Sequence, residues 1–576
     1  MKSNASSIFS FRTKVLSILI LIFASILIGK LFLVQIIHRE AFADEANKQY
    51  FTPSAGVFER GTIFFKTKDG SLVSAATQMA GFKLVVNPSE ISDPEDVYKK
   101  LSTKLSINQE EFLKKTEDRN DTYAEIIDHL SQKQMEAISL LKIRGVSLVK
   151  EKWRFYPGGS LASHTLGLVG YKGDELGGRY GLERQYDDEL SRNKDNPYIN
   201  FFAEVFSNIK ENFSSPEEKD GDIITTIEPS VQGFLEKELS QVKAKWAVDS
   251  IGGIIMNPKD GAIYAMGALP QFDPNDFSGE NISVFANPLV ERVLEFGSVV
   301  KPLVMAGALD AGAVTAGTAY NDTGSVWIEK KEIFNFDKKG RGPDTTMQEV
   351  LGESLNTGMV FVYQKLGKEK LREYLYSFGI KDRTGINLPN ETSGLTSNLD
   401  IKSSREIEYA NASFGQGIAM TPISIVRSLS ALSNGGYLVT PHVVDSIKYN
   451  NGISKKIIYP DPVQTKISAE TSEEITRMLV EVMDKSLKGG LAKLEHNSIA
   501  VKTGTAQVAN LEGGGYYEDK HTHSFVGYFP AYDPEFIIFL YAVNPKGVQY
   551  ASQTWADPFL SITKFLLNYY KILPDR

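Results

Sequence analysis

The run Gly297-Ser298-Val299-Val300-Lys301-Pro302-Leu303-Val304-Met305-Ala306-Gly307-Ala308-Leu309 joins a small polar start to a long apolar continuation. Apolar residues without interruption predict a buried helix. Pro302 is tolerated only near the start of a helix, because it has no N–H to donate at an interior position. We therefore predict that Ser298 lies in the first turn, where free N–H groups and the positive end of the helix dipole stabilise an oxyanion.

Ser298 and Lys301 are three residues apart, so on a helix they share a face with Cβ atoms about 5–6 Å apart. This spacing suits a serine nucleophile with a lysine base. The spacing alone is weak evidence, because Ser-Xaa-Xaa-Lys occurs seven times in the chain, beginning at Ser139, Ser147, Ser191, Ser207, Ser240, Ser298 and Ser561. Its sequence context selects the copy at Ser298.

Two more polar triplets follow Ser298 in the chain. The first is Ser354-Leu355-Asn356, and the second is the only Lys-Thr-Gly in the sequence, Lys502-Thr503-Gly504, which Thr505 follows. Each triplet alone is typical of an ordinary polar turn or strand. All three in this order, on suitable elements, predict a site for covalent catalysis by serine.

In order and spacing, the triplets resemble those of the penicillin-binding proteins. Near the N-terminus, Arg60-Gly61-Thr62-Ile63 with Asp69-Gly70, and 177–183 with Tyr186, resemble signatures of the class B members. Further blocks that resemble the transpeptidase domain are Phe378-Gly379, Thr384-Gly385-Ile386, Leu388-Pro389, Glu391, 413–417 and Thr421-Pro422. Phe296 and Val299-Val300 depart from the usual Pro and Thr-Phe, which changes the expected pocket shape but removes no catalytic group.

The resemblance implies a monofunctional peptidoglycan D,D-transpeptidase. Such an enzyme cross-links stem peptides through a serine acyl-enzyme, is acylated by β-lactams and needs no cofactor or metal. The implied catalytic residues are Ser298, Lys301, Ser354, Asn356 and Lys502, and the implied substrate-binding residues are Thr503, Gly504 and Thr505. The question of whether Lys301 or another group is the acylation base stays open.

The resemblance also implies a role for each group. A neutral Lys301 takes the proton of Ser298, and burial together with a charged Lys502 keeps it neutral. Ser354 relays a proton to the leaving amine, and Asn356 holds Lys301 and the substrate amide. The hydroxyls of Thr503 and Thr505 meet the terminal carboxylate of the substrate, whose backbone approaches the strand edge at Gly504. The N–H groups of Ser298 and Thr505 form the oxyanion hole.

Hydrophobic periodicity predicts an α+β fold, with helices against an antiparallel sheet. The predicted strands are 223–227, 251–256, 262–266, 498–502, 524–529 and 536–543, and the predicted helices are 229–246, one from Thr421-Pro422 and one over 558–570. Two shorter helices begin at Asn108 and Gln132. The resemblance implies a transpeptidase domain like that of the serine β-lactamases, preceded by an elongated α+β pedestal of the dimerisation type.

The polar cluster 215–221 predicts a linker. We therefore expect a cytoplasmic tail at 1–14, a transmembrane anchor at 15–37, the pedestal at 38–221 and the transpeptidase domain at 222–576.

Residues 15–37 are apolar enough to cross a membrane, since 23 helical residues would extend about 34 Å. Lys2, Arg12 and Lys14 precede the run, so the positive-inside rule places the N-terminus in the cytoplasm and the catalytic domain outside. A cleaved signal peptide, with a cleavage site at 41–43, is the competing interpretation, but the run is longer than the usual apolar segment of 7–15 residues.

Two polar residues interrupt this run, Lys30 and Gln35. Lys30 is close enough to the outer end to extend its ammonium to the interface. Alternatively, both residues face a partner helix. The resemblance implies as this partner a polytopic polymerase of lipid-linked glycan, bound through the span and the pedestal.

Composition excludes several other classes of protein. The 576 residues contain no cysteine, which excludes disulfides, thiolate metal sites and cysteine nucleophiles. A net charge of −8 gives no general affinity for nucleic acid. His521 and His523 are the best candidates for metal ligands, but two histidines at strand spacing beside acids are more typical of a solvated turn.

Two other functions stay open on the sequence. One is a relative that hydrolyses or senses β-lactams, although such proteins usually lack a pedestal of this kind. The other is a silent scaffold that recruits cell-wall enzymes, although such a scaffold has no need of five intact polar groups. The run 324–335 with Thr346-Met347 and 354–358 favours a division role over an elongation role. The acceptor amine, the organism and the oligomeric state are not determined.

Overall fold

The computed structural model describes residues 59–173, 175–192, 220–402, 404–449, 452–510 and 514–576, together with Phe23 and Leu27. Among the described residues up to 192, strands β1 to β6 are Ile63–Lys66, Leu72–Val86, Ala124–Leu130, Val146–Phe155, Val169–Lys172 and Glu175–Gly178. Helices α1 to α6 are Pro94–Ser102, Gln109–Lys115, Gln132–Ser139, Ser163–Leu166, Gly181–Gln185 and Asp187–Leu190.

Among the described residues from 220 onward, the strands are labelled β7 to β20. They are Gly221–Thr225, Ser250–Met256, Ile263–Leu269, Ala319–Asp322, Ser325–Ile328, Lys331–Phe334, Gly342–Thr346, Tyr437–Leu438, Val444–Tyr449, Ser454–Lys456, Val463–Gln464, Ala500–Ala509, Tyr516–Phe529 and Phe536–Val543. Helices α7 to α16 are Pro229–Trp246, Pro288–Glu291, Lys301–Asp310, Met347–Gly352, Asn356–Leu366, Lys368–Ser377, Glu406–Ala412, Pro422–Ser430, Ala469–Glu481 and Ala551–Tyr570.

The sheet that positions the site is antiparallel, with the strand order β18-β19-β20-β8-β9. Helices cover both of its faces. A Cβ added at Gly253 would meet Leu235 of α7, whereas one added at Gly252 would meet Leu289 of α8. α16 packs beside α7, with the rings of Phe234 and Phe565 stacked 4.2 Å apart. The predicted α+β fold is therefore confirmed.

A second sheet joins the N-terminal segment to the rest of the chain. Its order is β16-β15-β7-β1-β2-β3, and β4 also pairs with β2. β7 pairs in parallel with β1, where Ile63 lies opposite Ile223, and antiparallel with β15. β7 begins at Gly221, the last residue of the predicted pedestal, and the predicted boundary itself stays a prediction. Around β2 to β4 and α1 to α3, a separate small core contains Leu84, Leu101 and Phe112.

Local sequence signals account for the helix boundaries. α7 begins as predicted, because the Glu228 carboxylate caps it by accepting the Val231 N–H at 2.7 Å and Pro229 needs no partner for an N–H. Thr421 caps α14 in the same way. The helices predicted from Asn108 and Gln132 are also confirmed. α16 begins seven residues before the predicted Pro558, which the helix accommodates internally.

Within the described residues, no helix has both the length and the apolar composition needed to cross a membrane. Apart from Phe23 and Leu27, the predicted span 15–37, with Lys30 and Gln35, lies outside the described residues. The tail 1–14 and residues 215–219 of the predicted linker also lie outside them.

Candidate active site

Ser298 lies in a tight turn that leads into a buried helix. Residues Gly297–Val300 form a 3-10 turn, and α9 continues from Lys301 with Pro302 in its first turn. Gly297 has φ +60°, and a Cβ there would lie 3.0 Å from the Thr505 carbonyl oxygen, so glycine suits this position. Gly297 and Val299 are buried, whereas Ser298 is partly exposed. The predicted placement of Ser298 at the helix start is confirmed, although the first turn is 3-10.

Lys301 is completely buried and lies among neutral oxygen acceptors. Its Nζ donates to the Ser354 carbonyl at 2.6 Å and to Asn356 Oδ1 at 2.8 Å, and lies 3.3 Å from Ser354 Oγ. Among the described residues, no carboxylate pairs with this nitrogen. Burial, and then repulsion by Lys502, lowers the pKa of Lys301 well below its usual value. This lowered pKa favours the neutral form of the lysine, which a base requires.

Lys502 approaches the same serine from the strand β18. Its Nζ donates to Ser354 Oγ at 2.9 Å and to the Thr503 carbonyl at 3.0 Å. Burial lowers the pKa of Lys502 to about 7. The ammonium form of Lys502, which the resemblance implies, is thus less stable than that of an ordinary lysine, because it is fully buried and no carboxylate among the described residues pairs with it. Ser354 itself has a positive φ of 57°, which turns its hydroxyl and its carbonyl toward the two lysines.

Asn356 begins α11 and links Lys301 to a neighbouring hairpin. Its Oδ1 accepts from Lys301, and its Nδ2 donates to the Phe334 carbonyl at 2.9 Å. One side of the amide therefore holds the lysine and the other holds β12. The hydrogen bond to Phe334 uses one of the two N–H groups of the Asn356 amide, which the resemblance expects to hold the substrate amide.

A buried network behind Asn356 was not predicted from the sequence. The Asp322 carboxylate accepts from Asn335 Nδ2, at 3.0 Å for each oxygen, from Thr357 Oγ1 at 2.8 Å and from the Arg341 N–H at 3.0 Å. Asp322, Asn335 and Thr357 are all buried. The network fixes β12 against the first turn of α11 and thereby sets the position of Asn356. No motif of the sequence analysis contains Asp322. The only signal in the sequence is that an acid precedes Gly324 by two residues, as is common in turns.

The Lys-Thr-Gly triplet lies on β18, at the edge of the central sheet, and Ser298 lies beside it. A Cβ added at Gly504 would lie 2.4 Å from both the Phe296 carbonyl oxygen and Ser524 Oγ. Gly504 therefore allows β18 to pack against the turn that carries Ser298. This packing is a structural reason for glycine at 504, and the expectation that Gly504 also leaves room for the substrate backbone stays a prediction. Thr505 Oγ1 accepts the Ala551 N–H at 3.3 Å, and Thr503 is partly exposed.

Packing explains why Phe296 departs from the family pattern and why His523 is not a metal ligand exposed to solvent. Phe296 is buried and meets the Phe539 ring edge-on at 5.0 Å, so it fills the core behind the turn. His521 and His523 both lie in β19, but the His523 ring is buried, with its Nδ1 2.8 Å from Thr554 Oγ1. The interpretation of this pair as a solvated turn is therefore wrong for His523. The described residues contain no cluster of three groups suited to a metal ion.

Two further blocks that resemble family signatures have structural contacts: 413–417 packs against the turn of Ser298, and Arg60 and Glu183 form an ion pair in the N-terminal segment. A Cβ at Gly415 would lie 2.1 Å from the Gly297 carbonyl oxygen, so 413–417 supports the turn of Ser298. In the N-terminal segment, buried Glu183 accepts from Arg60 Nε at 2.7 Å and from Arg154 Nε at 2.6 Å. Burial alone would raise the pKa of Glu183, but the guanidiniums of Arg154 and Arg60 outweigh burial and lower it.

Comparison with known proteins gives matches to both parts of the chain. A family model described as the penicillin binding protein transpeptidase domain matches residues 251–564, and one described as the penicillin-binding protein dimerisation domain matches residues 58–225. Stage V sporulation protein D of Bacillus subtilis is 32% identical over 87% of this chain and 77% of its own length. Peptidoglycan D,D-transpeptidase FtsI of Buchnera aphidicola is 25% identical over 98% of this chain and 96% of its own.

A solved structure has the same fold. Penicillin binding protein 3 of Mycobacterium tuberculosis, in complex with aztreonam, superposes with a TM-score of 0.67 at 20% identity, over 91% of this chain and 98% of that chain. Both the N-terminal segment and the catalytic domain are thus included in the matched region.

Proposed function

Because this chain belongs to the class B penicillin-binding proteins and is a peptidoglycan D,D-transpeptidase, we propose that Ser298 is its nucleophile. The single observation that carries this assignment is the convergence of Lys301, Lys502 and Asn356 around Ser354. Lys301 lies one helical turn after Ser298. β-lactams acylate the same serine, because they present a carbonyl carbon where the D-alanyl peptide does.

In acylation, Ser298 Oγ attacks the carbonyl carbon of the penultimate D-alanine of a stem peptide. Neutral Lys301 Nζ takes the hydroxyl proton as the O–C bond forms. The C–N bond to the terminal D-alanine then breaks, and Ser354 passes a proton to the leaving amine. The Ser298 and Thr505 N–H groups stabilise the oxyanion. In the second step, an acceptor amine attacks the ester, which regenerates Ser298 and forms the cross-link.

The Lys-Thr-Gly triplet on β18 and the Thr505 that follows it bind the substrate. Lys502 and the hydroxyls of Thr503 and Thr505 receive the terminal carboxylate of the donor. An incoming carboxylate favours the ammonium form of Lys502, whose pKa of about 7 in the free site leaves it easily protonated. Substrate binding then strengthens the repulsion that keeps Lys301 neutral.

We propose the same membrane topology that the sequence indicates. Residues 1–14 are cytoplasmic, 15–37 span the cytoplasmic membrane, 38–221 form the pedestal and 222–576 form the catalytic domain outside. Lys30 and Gln35 face a helix of a polytopic glycan polymerase. A division role is favoured over elongation by the run 324–335 and the residues after it.

Labelling of the full-length chain with a fluorescent penicillin tests the proposed chemistry. A stable adduct supports a transpeptidase. Rapid turnover supports a β-lactam hydrolase, and no adduct supports a silent scaffold, so either result would overturn the proposal.

A further inference from the structure

A hairpin beside the site exposes three large aromatic rings. Trp327 of β11 is 63% exposed, Phe334 of β12 is 38% exposed and Phe336, just after β12, is 53% exposed. In the β11–β12 register, Trp327 lies opposite Glu332 and Ser325 opposite Phe334, so Trp327 and Phe334 are diagonal neighbours on one face. The other face buries Ile328 and Ile333. We call the exposed side, with Trp327, Phe334 and Phe336, the aromatic hairpin face.

The aromatic hairpin face begins one side chain away from Lys301. Asn356 joins the Phe334 carbonyl, at 2.9 Å, to Lys301 Nζ, at 2.8 Å. The Phe336 ring packs edge-on against Tyr550 at 5.6 Å, and the N–H of the following residue, Ala551, donates to Thr505 Oγ1. The rings therefore lie between Asn356 on one side and Tyr550, the residue before Ala551, on the other.

The same segment is basic in an acidic protein. Residues 325–341 contain Lys330, Lys331, Lys338, Lys339 and Arg341, whereas the whole chain has a net charge of −8. The four lysines are exposed, and none has an ion-pair partner among the described residues. Lys338 Nζ lies 5.3 Å from the centre of the Phe334 ring.

Each of the three acids in residues 325–341 has a hydrogen-bond or ion-pair partner other than a lysine. Glu332 accepts from Ser325 Oγ at 2.7 Å, Asp337 pairs with Arg341 at 3.0 Å, and Glu329 accepts the Glu406 N–H at 3.1 Å. Within this segment, which the structure describes throughout, none of the three acids pairs with a lysine, and three acids against five cations leave residues 325–341 with a net positive charge. Exposed aromatic rings with unpaired cations form a surface for a ligand that has both apolar faces and negative charges.

We propose that the aromatic hairpin face and its lysines bind the acceptor strand of peptidoglycan. The rings stack on the apolar faces of its sugars, and the lysines attract the carboxylates of its stem peptide. This assignment rests on the proposed transpeptidase function, since a hydrolase needs no acceptor. The acceptor rather than the donor is the occupant, because the proposed function already assigns the terminal carboxylate of the donor to Lys502, Thr503 and Thr505 of β18, whereas the hairpin is joined to Lys301 through Asn356.

The test measures how the acyl-enzyme partitions between water and an amine. The full-length chain in detergent is acylated with a D-alanyl thioester donor and given one of two acceptors. One is a disaccharide-peptide muropeptide with a free side-chain amine, and the other is a small D-amino acid that is too short to reach Trp327. The variants are Trp327→Ala and the pair Lys338→Glu with Lys339→Glu. The matched controls are Tyr532→Ala, an exposed aromatic on a remote turn, and Lys338→Arg with Lys339→Arg.

For both test variants we expect the ratio of aminolysis by the muropeptide to hydrolysis to fall about fivefold. Trp327→Ala removes one ring contact with a sugar, and the paired lysine substitutions remove two charge attractions to carboxylates. Aminolysis by the D-amino acid, penicillin labelling and both controls should stay at the wild-type level. An unchanged muropeptide ratio, or an equal fall with both acceptors, would overturn the role of the hairpin. If the wild-type chain is acylated but transfers to neither acceptor, the proposed function itself fails.

Discussion

Lys301 and Lys502 reach the same hydroxyl from different elements, since their Nζ atoms lie 3.3 Å and 2.9 Å from Ser354 Oγ. Two buried ammonium groups at this spacing repel each other strongly. The two lysines therefore do not readily carry a proton at the same time. Burial and then this repulsion lower the pKa of Lys301 well below its usual value, so Lys301 is the lysine that we propose as the base.

Removal of Lys502 should make Lys301 a base only at higher pH. A base must be unprotonated, so the acylation rate rises with pH through its pKa. Lys502→Ala removes the repulsion that lowers this pKa, and the rising limb of the profile should move to higher pH. Rates of penicillin acylation between pH 5 and 10 would measure this shift.

Thr505→Val is the matched control for that profile. It removes a hydroxyl contact to the carboxylate but no charge, so the rate should fall without movement of the rising limb. Identical profiles for Lys502→Ala and Thr505→Val would show that Lys502 does not tune Lys301.

Asp322→Asn should weaken the support of Asn356. The new amide would direct N–H groups at donors such as Thr357 Oγ1 and the Arg341 N–H, which leaves buried groups unpaired. We expect a loss of about 1–3 kcal/mol in the free energy of unfolding. At temperatures where the variant is folded, penicillin acylation should also be slower. Exposed Asp344→Asn, in β13, is the control, and equal acylation rates in the two variants would argue against a positioning role.

Features that depend on residues close together in the chain, or on the order of motifs along it, could be predicted from the sequence. α7 could be predicted because Glu228, Pro229 and the apolar spacing of its residues all lie within the helix or next to it. The triplets could be recognised because their order along the chain carries the signal. The fold class followed from the grouping of strands and helices.

Features that depend on distant contacts could not be predicted. The pairing of β7 with both β1 and β15 joins segments that are more than 150 residues apart, since Ile63 lies opposite Ile223 and Val444 opposite Thr225. The pKa of Lys502 depends on complete burial, which no short motif specifies. The close approach of the Phe296 carbonyl to Gly504 joins two distant segments. The carboxylate of Asp322 likewise accepts hydrogen bonds from residues 335, 341 and 357. Each of these depends on how the elements pack.

The buried carboxylate of Glu183 should be important for stability. Glu183→Gln leaves Arg60 and Arg154 with less compensation in a dry environment, and we expect a loss of about 3–5 kcal/mol in the free energy of unfolding. The lowered pKa of Glu183 contributes stability that is present above pH 4.5, its ordinary value, and is lost as the pH falls through the folded-state pKa. Denaturant unfolding at pH 7 and pH 4 would measure both effects. For Asp96→Asn, in an exposed pair with Lys100, the expected change is about 0–1 kcal/mol.

The anchor should be dispensable for the chemistry but required in the cell. With residues 1–37 replaced by a cleavable signal peptide, the released chain should be acylated by penicillin at a near wild-type rate, because every proposed catalytic group lies beyond residue 297. Cross-linking in cells should fail, since the anchor keeps the site at a high effective concentration near the glycan polymerase. Normal cross-linking by the released form would contradict the proposed topology.

A double substitution of Lys30 and Gln35 by Leu tests the partner helix more finely. The span should insert more easily yet lose its polar face. Growth and co-purification with the polymerase at the wild-type level would show that Lys30 only extends its ammonium to the interface.

The most direct test of the central claim is to locate the penicillin adduct by peptide mass spectrometry. We expect the label on the peptide that contains Ser298, no label on Ser298→Ala and normal labelling of Ser240→Ala, another Ser-Xaa-Xaa-Lys serine. Ser298→Ala should remain folded, since it removes one hydroxyl at a helix start, worth about 1 kcal/mol at most. A folded Ser298→Ala chain that still carries the adduct would contradict the assignment of Ser298 as the nucleophile.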